Sequence, residues 1–82
     1  MITKYKLLPY EDTLVLIREA INKDVPFSAV NTLTYILMFA GEEGEYFYYS
    51  DGYAHFPSHD YDRNMAQEDL DELVKAHFLE IE

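Results

Sequence analysis

Two histidines and two aspartates lie close together in the second half of the chain. His55, His59, Asp60 and Asp62 carry imidazole and carboxylate groups, which are common ligands of Zn²⁺ and similar ions. Their spacing matches no established zinc-binding pattern, and a polar loop of this composition is ordinarily only solvated. We therefore expect no metal and no cofactor, and His55 and His59 are the candidate ligands if a metal does bind.

No other group of residues predicts catalysis. The chain has no cysteine, and its serines lie in no nucleophile elbow or triad-like context: Ser28, Ser50 and Ser58. Paired carboxylates such as Glu42-Glu43 lie in polar runs, whereas a catalytic carboxyl group needs an apolar pocket. The glycines form no phosphate-binding loop. His77 lies on the apolar face of a predicted helix, where we expect a histidine at the core or at its boundary. The sequence therefore predicts a protein that is not an enzyme.

The tyrosines point more directly to a function. Eight of the 82 residues are tyrosine, and most of them cluster in or beside one predicted sheet: Tyr35, Tyr46, Tyr48, Tyr49, Tyr53 and Tyr61. A tyrosine offers a large contact area with a polar tip, which suits protein–protein interfaces. The alternative is that these side chains form only the half-buried surface of the sheet.

The formal net charge of −10 is confined to one half of the chain. Residues 1–41 hold four acidic and four basic side chains, whereas residues 42–82 hold twelve acidic and two basic ones. Such a field repels nucleic acid and anionic lipid and attracts basic protein surfaces. We therefore expect a basic protein surface as the partner, with no direct nucleic-acid or membrane binding. The alternative is that the acidity only keeps a small domain soluble.

The predicted secondary structure is organised around the stretch from residue 31 to residue 56. Residues 32–39 are rich in β-branched, aromatic and large apolar side chains, which favour a β-strand. A short loop at residues 41–44 leads to a second strand, and Asp51-Gly52 predicts a tight turn into a third strand at residues 53–56. The alternative for residues 28–40 is a helix that ends at Gly41.

The two loop lengths imply a strand register. The first loop would pair Phe39 with Tyr46, and the two-residue turn would pair Tyr48 with His55. One face of the sheet, which we expect to form the core, then carries Ile36, Met38, Phe47, Tyr49, Ala54 and Phe56. The opposite face carries Tyr35, Leu37, Phe39, Tyr46, Tyr48 and His55.

Helices are predicted on both sides of this sheet in the sequence. The first begins at Pro9 and has one apolar stripe: Tyr10, Leu14, Ile17 and Ile21. The second spans residues 65–78 after a capping pair at Asn64 and Gln67, and its apolar stripe is Leu70, Leu73, Val74 and His77. Residues 1–8 are expected to form an edge strand or an ordered arm, and residues 58–63 a polar loop.

The predicted fold is a single small α+β domain over residues 1–82. Its element order is α-β-β-β-α, a two-layer arrangement in which a three-stranded antiparallel meander packs against two helices. Double-stranded-RNA-binding domains share this order, but they need basic groups where this chain is acidic. The sequence has no apolar run of membrane-spanning length and no signal peptide, so we expect a cytoplasmic protein.

Two segments resemble a known group of proteins. LIREAINKD and NTLTYILMFAGEEGEYFYYSDG are similar to the helix-then-hairpin portion of the small acidic phage anti-CRISPR proteins, which inhibit Cas9 as DNA mimics. The resemblance contains no diagnostic motif, and residues 55–62 and the last helix depart from it. It implies a phage or bacterial inhibitor whose acidic first hairpin loop occupies the DNA-reading site of its target. The matching positions are Glu42, Glu43 and Glu45.

We therefore expect a small, acidic, non-enzymatic protein-binding module. The residues predicted to contact the partner combine the acidic loop with the neighbouring tyrosines and the turn: Glu42, Glu43, Glu45, Tyr46, Tyr48, Asp51 and Tyr53. The alternative is a homodimer or an adaptor that uses the aromatic sheet face as its interface, and a further alternative is a minor metal-binding role.

Overall fold

The computed structural model describes residues 1–42 and 45–82, and in this part of the chain it contains five strands and three α-helices. In chain order these are β1 (Thr3–Leu7), α1 (Thr13–Asn22), α2 (Phe27–Ala40), β2 (Tyr46–Ser50), β3 (Tyr53–Phe56), β4 (Tyr61–Asn64), α3 (Gln67–Lys75) and β5 (Leu79–Ile81). A 3₁₀ turn at Pro57–His59 joins β3 to β4. The α+β class is confirmed, with helices packed against an antiparallel meander. None of the helices described is long and apolar enough to cross a membrane.

All five strands form one antiparallel sheet in the order β4-β3-β2-β1-β5. β2, β3 and β4 follow one another as a meander, and the two ends of the chain complete the sheet because β1 lies between β2 and β5. Residues 1–8 therefore contain a strand, as predicted, but it is an interior strand and neither an edge strand nor an arm. Beside the two predicted strands β2 and β3, the sheet contains β1, β4 and β5, and β1 and β5 pair with strands that are distant in the sequence.

The β2–β3 hairpin forms as predicted around its two-residue turn. Asp51 has a φ of 51° and Gly52 a φ of 84°, the left-handed pair that such a turn requires. Tyr48 lies opposite His55, so the predicted register of this hairpin is confirmed. Local turn chemistry therefore fixes which side chains of these two strands share a face.

The first predicted strand, at residues 32–39, is wrong, because this segment belongs to helix α2. The predicted pairing of Phe39 with Tyr46 fails with it. The helical alternative was correct, and the helix runs from an N-cap at Pro26 to a C-cap at Gly41. The predicted hairpin between residues 32–39 and β2 therefore does not form, and residues 43 and 44 of its predicted loop lie outside the described residues.

Tertiary contacts explain why α2 is a helix despite its β-branched residues. Its buried side chains recur at helical spacing: Ala29, Val30, Thr32, Leu33, Ile36 and Ala40. Thr32 donates its hydroxyl to the Asp69 carboxylate of α3 at 3.0 Å, and Ser28 donates to the same carboxylate at 2.8 Å. Apolar burial and these hydrogen bonds outweigh helix propensities that differ by only about 0.7 kcal/mol per residue.

The core lies between the helix layer and one face of the sheet. The predicted core residues of β2 and β3 are confirmed as buried: Phe47, Tyr49, Ala54 and Phe56. Tyr5 of β1 joins them, and its ring stacks on that of Phe47 with the ring centroids 5.4 Å apart. Met38, which was predicted to be in the core, is instead 65% exposed on the outer side of α2.

Tyr49 is the core tyrosine whose hydroxyl is satisfied by a buried hydrogen bond. The hydroxyl donates to the Met65 carbonyl at 2.6 Å. Burial raises the pKa of the Tyr49 phenol, and the neighbouring Tyr5, Asp71 and Asp69 raise it further. The neutral phenol is therefore the form that the folded core favours.

Helix α1 starts later than predicted and buries a different stripe. The Asp12 side chain caps its N-terminus by accepting from the Leu14 and Val15 amides, so Pro9 lies outside the helix. The buried residues are Leu16 and Ala20, whereas two residues of the predicted apolar stripe, Leu14 and Ile21, are 78% and 55% exposed. The stripe was wrong at Leu14 and Ile21, because the helix docks on Leu16 and Ala20, whereas Tyr10 and Ile17 are partly buried against the core.

Helix α3 matches its prediction in position but is shorter than residues 65–78. Its N-cap is Ala66 without a side-chain hydrogen bond, so the predicted Asn64–Gln67 capping pair is wrong. Leu70 and Leu73 are buried as predicted. His77 lies beyond the helix with a φ of 65° and is exposed, which contradicts a core or boundary position.

The predicted polar loop at residues 58–63 is also wrong in part. Residues 57–59 form the 3₁₀ turn, and residues 61–64 form the edge strand β4, which pairs with β3 along its whole length. The alternation of half-buried and exposed residues in β4 is typical of a strand that is packed on one side only. This strand carries Asp62 onto the sheet.

Candidate functional site

One face of the sheet is not covered by helices in the part of the chain that the structure describes. Because side chains alternate along a strand, the residues that flank the buried ones lie on this side. We call it the open sheet face and define it by the outward side chains of the five strands: Lys4, Lys6, Tyr46, Tyr48, Ser50, Tyr53, His55, Asp62, Asn64 and Glu80.

The register places four of these residues in one row across four strands. Lys4 of β1 lies opposite Tyr48 of β2, Tyr48 opposite His55 of β3, and His55 opposite Asp62 of β4. Directly opposed side chains in an antiparallel sheet lie about 5 Å apart at Cβ, which is close enough for contact. The row therefore joins an ammonium, a phenol, an imidazole and a carboxylate.

Three tyrosines provide most of the aromatic surface of the open sheet face. The rings of Tyr46 and Tyr48 meet edge to face at 5.4 Å between centroids. Tyr53, opposite Ser50, is 55% exposed. These are the three tyrosines that the sequence predicted to contact a partner, and the structure brings them onto one face.

The imidazole of His55 is hydrogen-bonded to the carboxylate of Asp62. The distance between His55 Nδ1 and Asp62 Oδ1 is 2.5 Å, and the two side chains are 43% and 66% exposed. A donor on Nδ1 leaves Nε2 of the neutral ring as an acceptor. The pair therefore leaves the second carboxylate oxygen of Asp62, Oδ2, free of His55 on a surface of aromatic rings.

The basic residues nearest to this pair are directed elsewhere. Lys4 Nζ lies 3.5 Å from Glu82 and 4.2 Å from the centre of the Tyr46 ring, towards the β5 edge. The guanidinium of Arg63 lies on the helix side of the sheet, 3.3 Å from the centre of the Tyr35 ring. In the described part of the chain, neither Lys4 nor Arg63 forms an ion pair with Asp62.

The predicted partner-contact residues do not form a single cluster. Glu42 and Glu45 precede β2, where the Glu42 amide donates to the Glu45 carboxylate at 3.2 Å. Glu43 lies outside the described residues. Asp51 follows the other end of the strand, about 20 Å from Glu45, because six residue steps of extended chain separate them. The acidic positions therefore lie at two opposite ends of the tyrosine-bearing strand.

The two candidate metal ligands lie in different environments. His55 is on the open sheet face, whereas the ring of His59 packs edge-on against Phe39 of α2, with 5.5 Å between centroids. In residues 1–42 and 45–82 no group of three histidine, aspartate or glutamate residues is placed to hold a metal ion. The His55–Asp62 pair thus supplies at most two ligands from the described residues.

Three residues that shape the open sheet face were not predicted to lie on it: Lys4, Asp62 and Glu80. The alternation Thr3-Lys4-Tyr5-Lys6-Leu7 is a period-two signal that was available in the sequence. The positions of Asp62 and Glu80 depend on pairings of β4 and β5 that no local pattern indicates.

No family model, curated protein or solved structure matches this chain.

Proposed function

We propose that this protein is a non-enzymatic binding module that uses its open sheet face to bind a basic surface on another protein. The observation that carries the proposal is the placement of Tyr46, Tyr48 and Tyr53 together on a sheet face that the described helices leave uncovered. Rigid tyrosine side chains lose little conformational entropy on binding, and they are enriched at the centres of interfaces.

Carboxylates surround these tyrosines on the described edges of the face. Asp62 lies on the β4 side, Glu80 and Glu82 on the β5 side, and Asp51 at the hairpin turn. Glu42 and Glu45 precede β2. Lys4 and Lys6 lie on the β1 side of the same face, where Lys4 is paired with Glu82, so the acidic rim is the side away from these lysines, at Asp62 and Asp51. An aromatic centre with an acidic rim on one side complements a basic surface, because the rim steers the approach while the centre excludes water.

Occupation of a nucleic-acid-binding surface is the specific form of this function that the anti-CRISPR resemblance implies, although the first hairpin on which the resemblance placed Glu42 and Glu45 is absent because residues 32–39 are helical. The charge of −10 over 82 residues supports it, since a surface that binds phosphates is basic. We therefore propose an inhibitor of a nucleic-acid-binding protein as the narrower function. Competition between this protein and the nucleic acid for the same partner would test it.

Self-association through the open sheet face is the other function considered. It would place two acidic rims against each other, and like charges in apposition disfavour association. Analytical ultracentrifugation at low and high salt separates the two possibilities. A monomer at all salt concentrations agrees with the proposal, whereas a dimer that survives high salt and dissociates on replacement of Tyr46 and Tyr48 contradicts it.

The test is affinity capture with variants that alter one face at a time. Tyr48→Ser with Tyr53→Ser removes aromatic surface from the open sheet face, and Leu14→Ser with Met38→Ser changes exposed apolar residues of the helix layer. We expect the wild type and the helix variant to capture the same basic protein, the sheet variant to lose it, and raised salt to weaken capture. Equal capture by both variants would overturn the proposal.

A further inference from the structure

We propose that the depression around Asp62 on the open sheet face binds the side chain of an arginine. The inference rests on the proposed function and names the group that the basic partner inserts. The depression has a volume of about 400 Å³ and is lined by Ile2, Tyr48, Ser50, Tyr53, His55 and Asp62. This volume lies within the range of sites that take a small ligand or a single side chain.

The lining combines the two features that a guanidinium requires. Asp62 provides a carboxylate that is 66% exposed, and a carboxylate accepts two parallel hydrogen bonds from the arginine fork. Tyr48, Tyr53 and Ile2 provide aromatic and aliphatic walls. A guanidinium is weakly hydrated and stacks on aromatic rings, whereas an ammonium keeps its water and binds such walls less well.

The hydrogen bond from His55 holds the carboxylate in place. Nδ1 of the ring contacts only one of the two oxygens of Asp62, so Oδ2 and the remaining lone pair of Oδ1 stay available. The backbone of β4 is itself fixed by its pairing with β3, since Asp62 lies directly opposite His55. The acceptor is therefore oriented before the ligand arrives, which lowers the entropic cost of binding.

The chain does not fill this site with a cation of its own in the described contacts. Arg63, the next residue after Asp62, points to the opposite side of the sheet and stacks on Tyr35. Lys4, in the same row as Asp62, is engaged by Glu82 and Tyr46 on the far side of Tyr48. Asp62 thus keeps a negative charge within an aromatic depression, and a cation from outside can neutralise it.

The test uses N-acetyl-arginine N-methylamide as the probe and the matching lysine compound as its comparison. Each is titrated into the ¹⁵N-labelled full chain while amide chemical shifts are recorded. We expect the arginine probe to give saturable shifts at Tyr48, Tyr53 and His55, and the lysine probe to bind more weakly. Equal affinity for the two probes, or shifts that map elsewhere, would overturn the proposal.

Asp62→Asn is the decisive variant, and Asp60→Asn is its matched control. Both remove one negative charge, and asparagine tolerates the left-handed backbone of Asp60, which has a φ of 47°. We expect Asp62→Asn to weaken binding of the arginine probe by about tenfold or more, because charge-assisted hydrogen bonds are lost. Asp60→Asn should leave it within about twofold. An equal effect of the two variants would show a general charge effect and refute the site.

A second variant covers the case in which Asp62→Asn disturbs β4. Tyr53→Ser removes an aromatic wall and leaves the His55–Asp62 pair untouched. It should reduce the preference for arginine over lysine, and an unchanged preference would contradict the site.

Failure of the probe to bind, with the basic partner still captured through the tyrosines, would refute the arginine site alone. Capture of the same protein by the wild type and by Tyr48→Ser with Tyr53→Ser would refute the proposed function.

Discussion

At the scale of single residues, the side chains of this protein divide by the side of the sheet on which they lie. Tyr49 and Tyr48 are neighbours in β2, yet the first is buried with its hydroxyl hydrogen-bonded and the second lies on the open sheet face. The same residue type therefore stabilises the fold at one position and is available for binding at the next. Predictions for tyrosines must accordingly differ between the two faces.

Replacement of Tyr49 by phenylalanine should lower stability at neutral pH. The change leaves the Met65 carbonyl without its donor, at a cost of about 1 kcal/mol in the free energy of unfolding. Urea unfolding followed by circular dichroism measures this. The control is Tyr53→Phe, which removes a hydroxyl from a side chain that is 55% exposed and should leave the stability unchanged. Equal losses in both variants would contradict the assignment of the two faces.

The same residue predicts a dependence of stability on alkaline pH. The folded-state pKa of Tyr49 is raised above the ordinary value of 10.0, so the folded protein holds the proton more tightly than the unfolded chain. The stabilisation is complete below pH 10 and is lost as the pH rises through the raised pKa. The stability difference between the wild type and Tyr49→Phe should therefore narrow from pH 8 to pH 11. A constant difference would be inconsistent with the buried phenol.

At the scale of elements, the sequence specified what depends on neighbouring residues and missed what depends on distant ones. The Asp51-Gly52 hairpin was predicted with its register, because the turn needs two left-handed residues. A helix at α2 is only the alternative that the sequence offers, because its β-branched residues favour a strand and the acceptor of the Thr32 hydroxyl, Asp69, lies 37 residues away. The sequence predicts a loop where β4 forms, so the pairing of His55 with Asp62, and with it the depression on the sheet, could not be predicted.

The hairpin turn supports a prediction about backbone conformation. Gly52→Ala places a side chain at a φ of 84° and should destabilise the protein by about 1–2 kcal/mol. Asp51→Asn is the control, because asparagine adopts the left-handed conformation readily, and it should change stability little. Thermal unfolding of both variants measures this. A Gly52→Ala variant as stable as the control would exclude the left-handed turn.

The contact between α2 and α3 supports a second prediction at this scale. Asp69 accepts hydrogen bonds from both Ser28 and Thr32, whereas Glu68 in the same first turn of α3 is exposed. Asp69→Ala should destabilise the protein by about 1–2 kcal/mol more than Glu68→Ala, since both changes remove one helix-dipole interaction and only the first removes the two hydrogen bonds. Chemical denaturation measures the free energy of unfolding of the two variants. Equal losses of stability would contradict a structural role for the Asp69 hydrogen bonds.

At the scale of the whole molecule, helices cover one side of the sheet and tyrosines with carboxylates occupy the other. The sequence predicted the tyrosines and the charge, but it placed the acidic residues and the turn in one cluster, whereas the structure separates them along β2. The excess of acidic residues after position 41 therefore forms no single loop: Asp62 and Glu80 lie on the open sheet face, whereas Glu68, Asp69, Asp71 and Glu72 lie on α3 in the helix layer.

Charge reversal before β2 tests the contribution of the rim. Replacing Glu42, Glu43 and Glu45 by lysine should leave the fold intact, because Glu42 and Glu45 belong to no helix or strand. The reversal changes the net charge by six units, from −10 to −4, and is expected to abolish binding of the basic partner and its salt dependence. Circular dichroism checks the fold, and retained binding would count against an electrostatic role for this segment.

The affinity of a captured partner for three forms of the protein tests the central claim most directly. Isothermal titration of the wild type, of Tyr48→Ser with Tyr53→Ser, and of Leu14→Ser with Met38→Ser compares the open sheet face with the helix layer. Binding by the wild type and the helix variant within about twofold of each other, with a loss of at least about tenfold in the sheet variant, is the predicted result. Loss of binding in the helix variant, with the sheet variant unaffected, would contradict it.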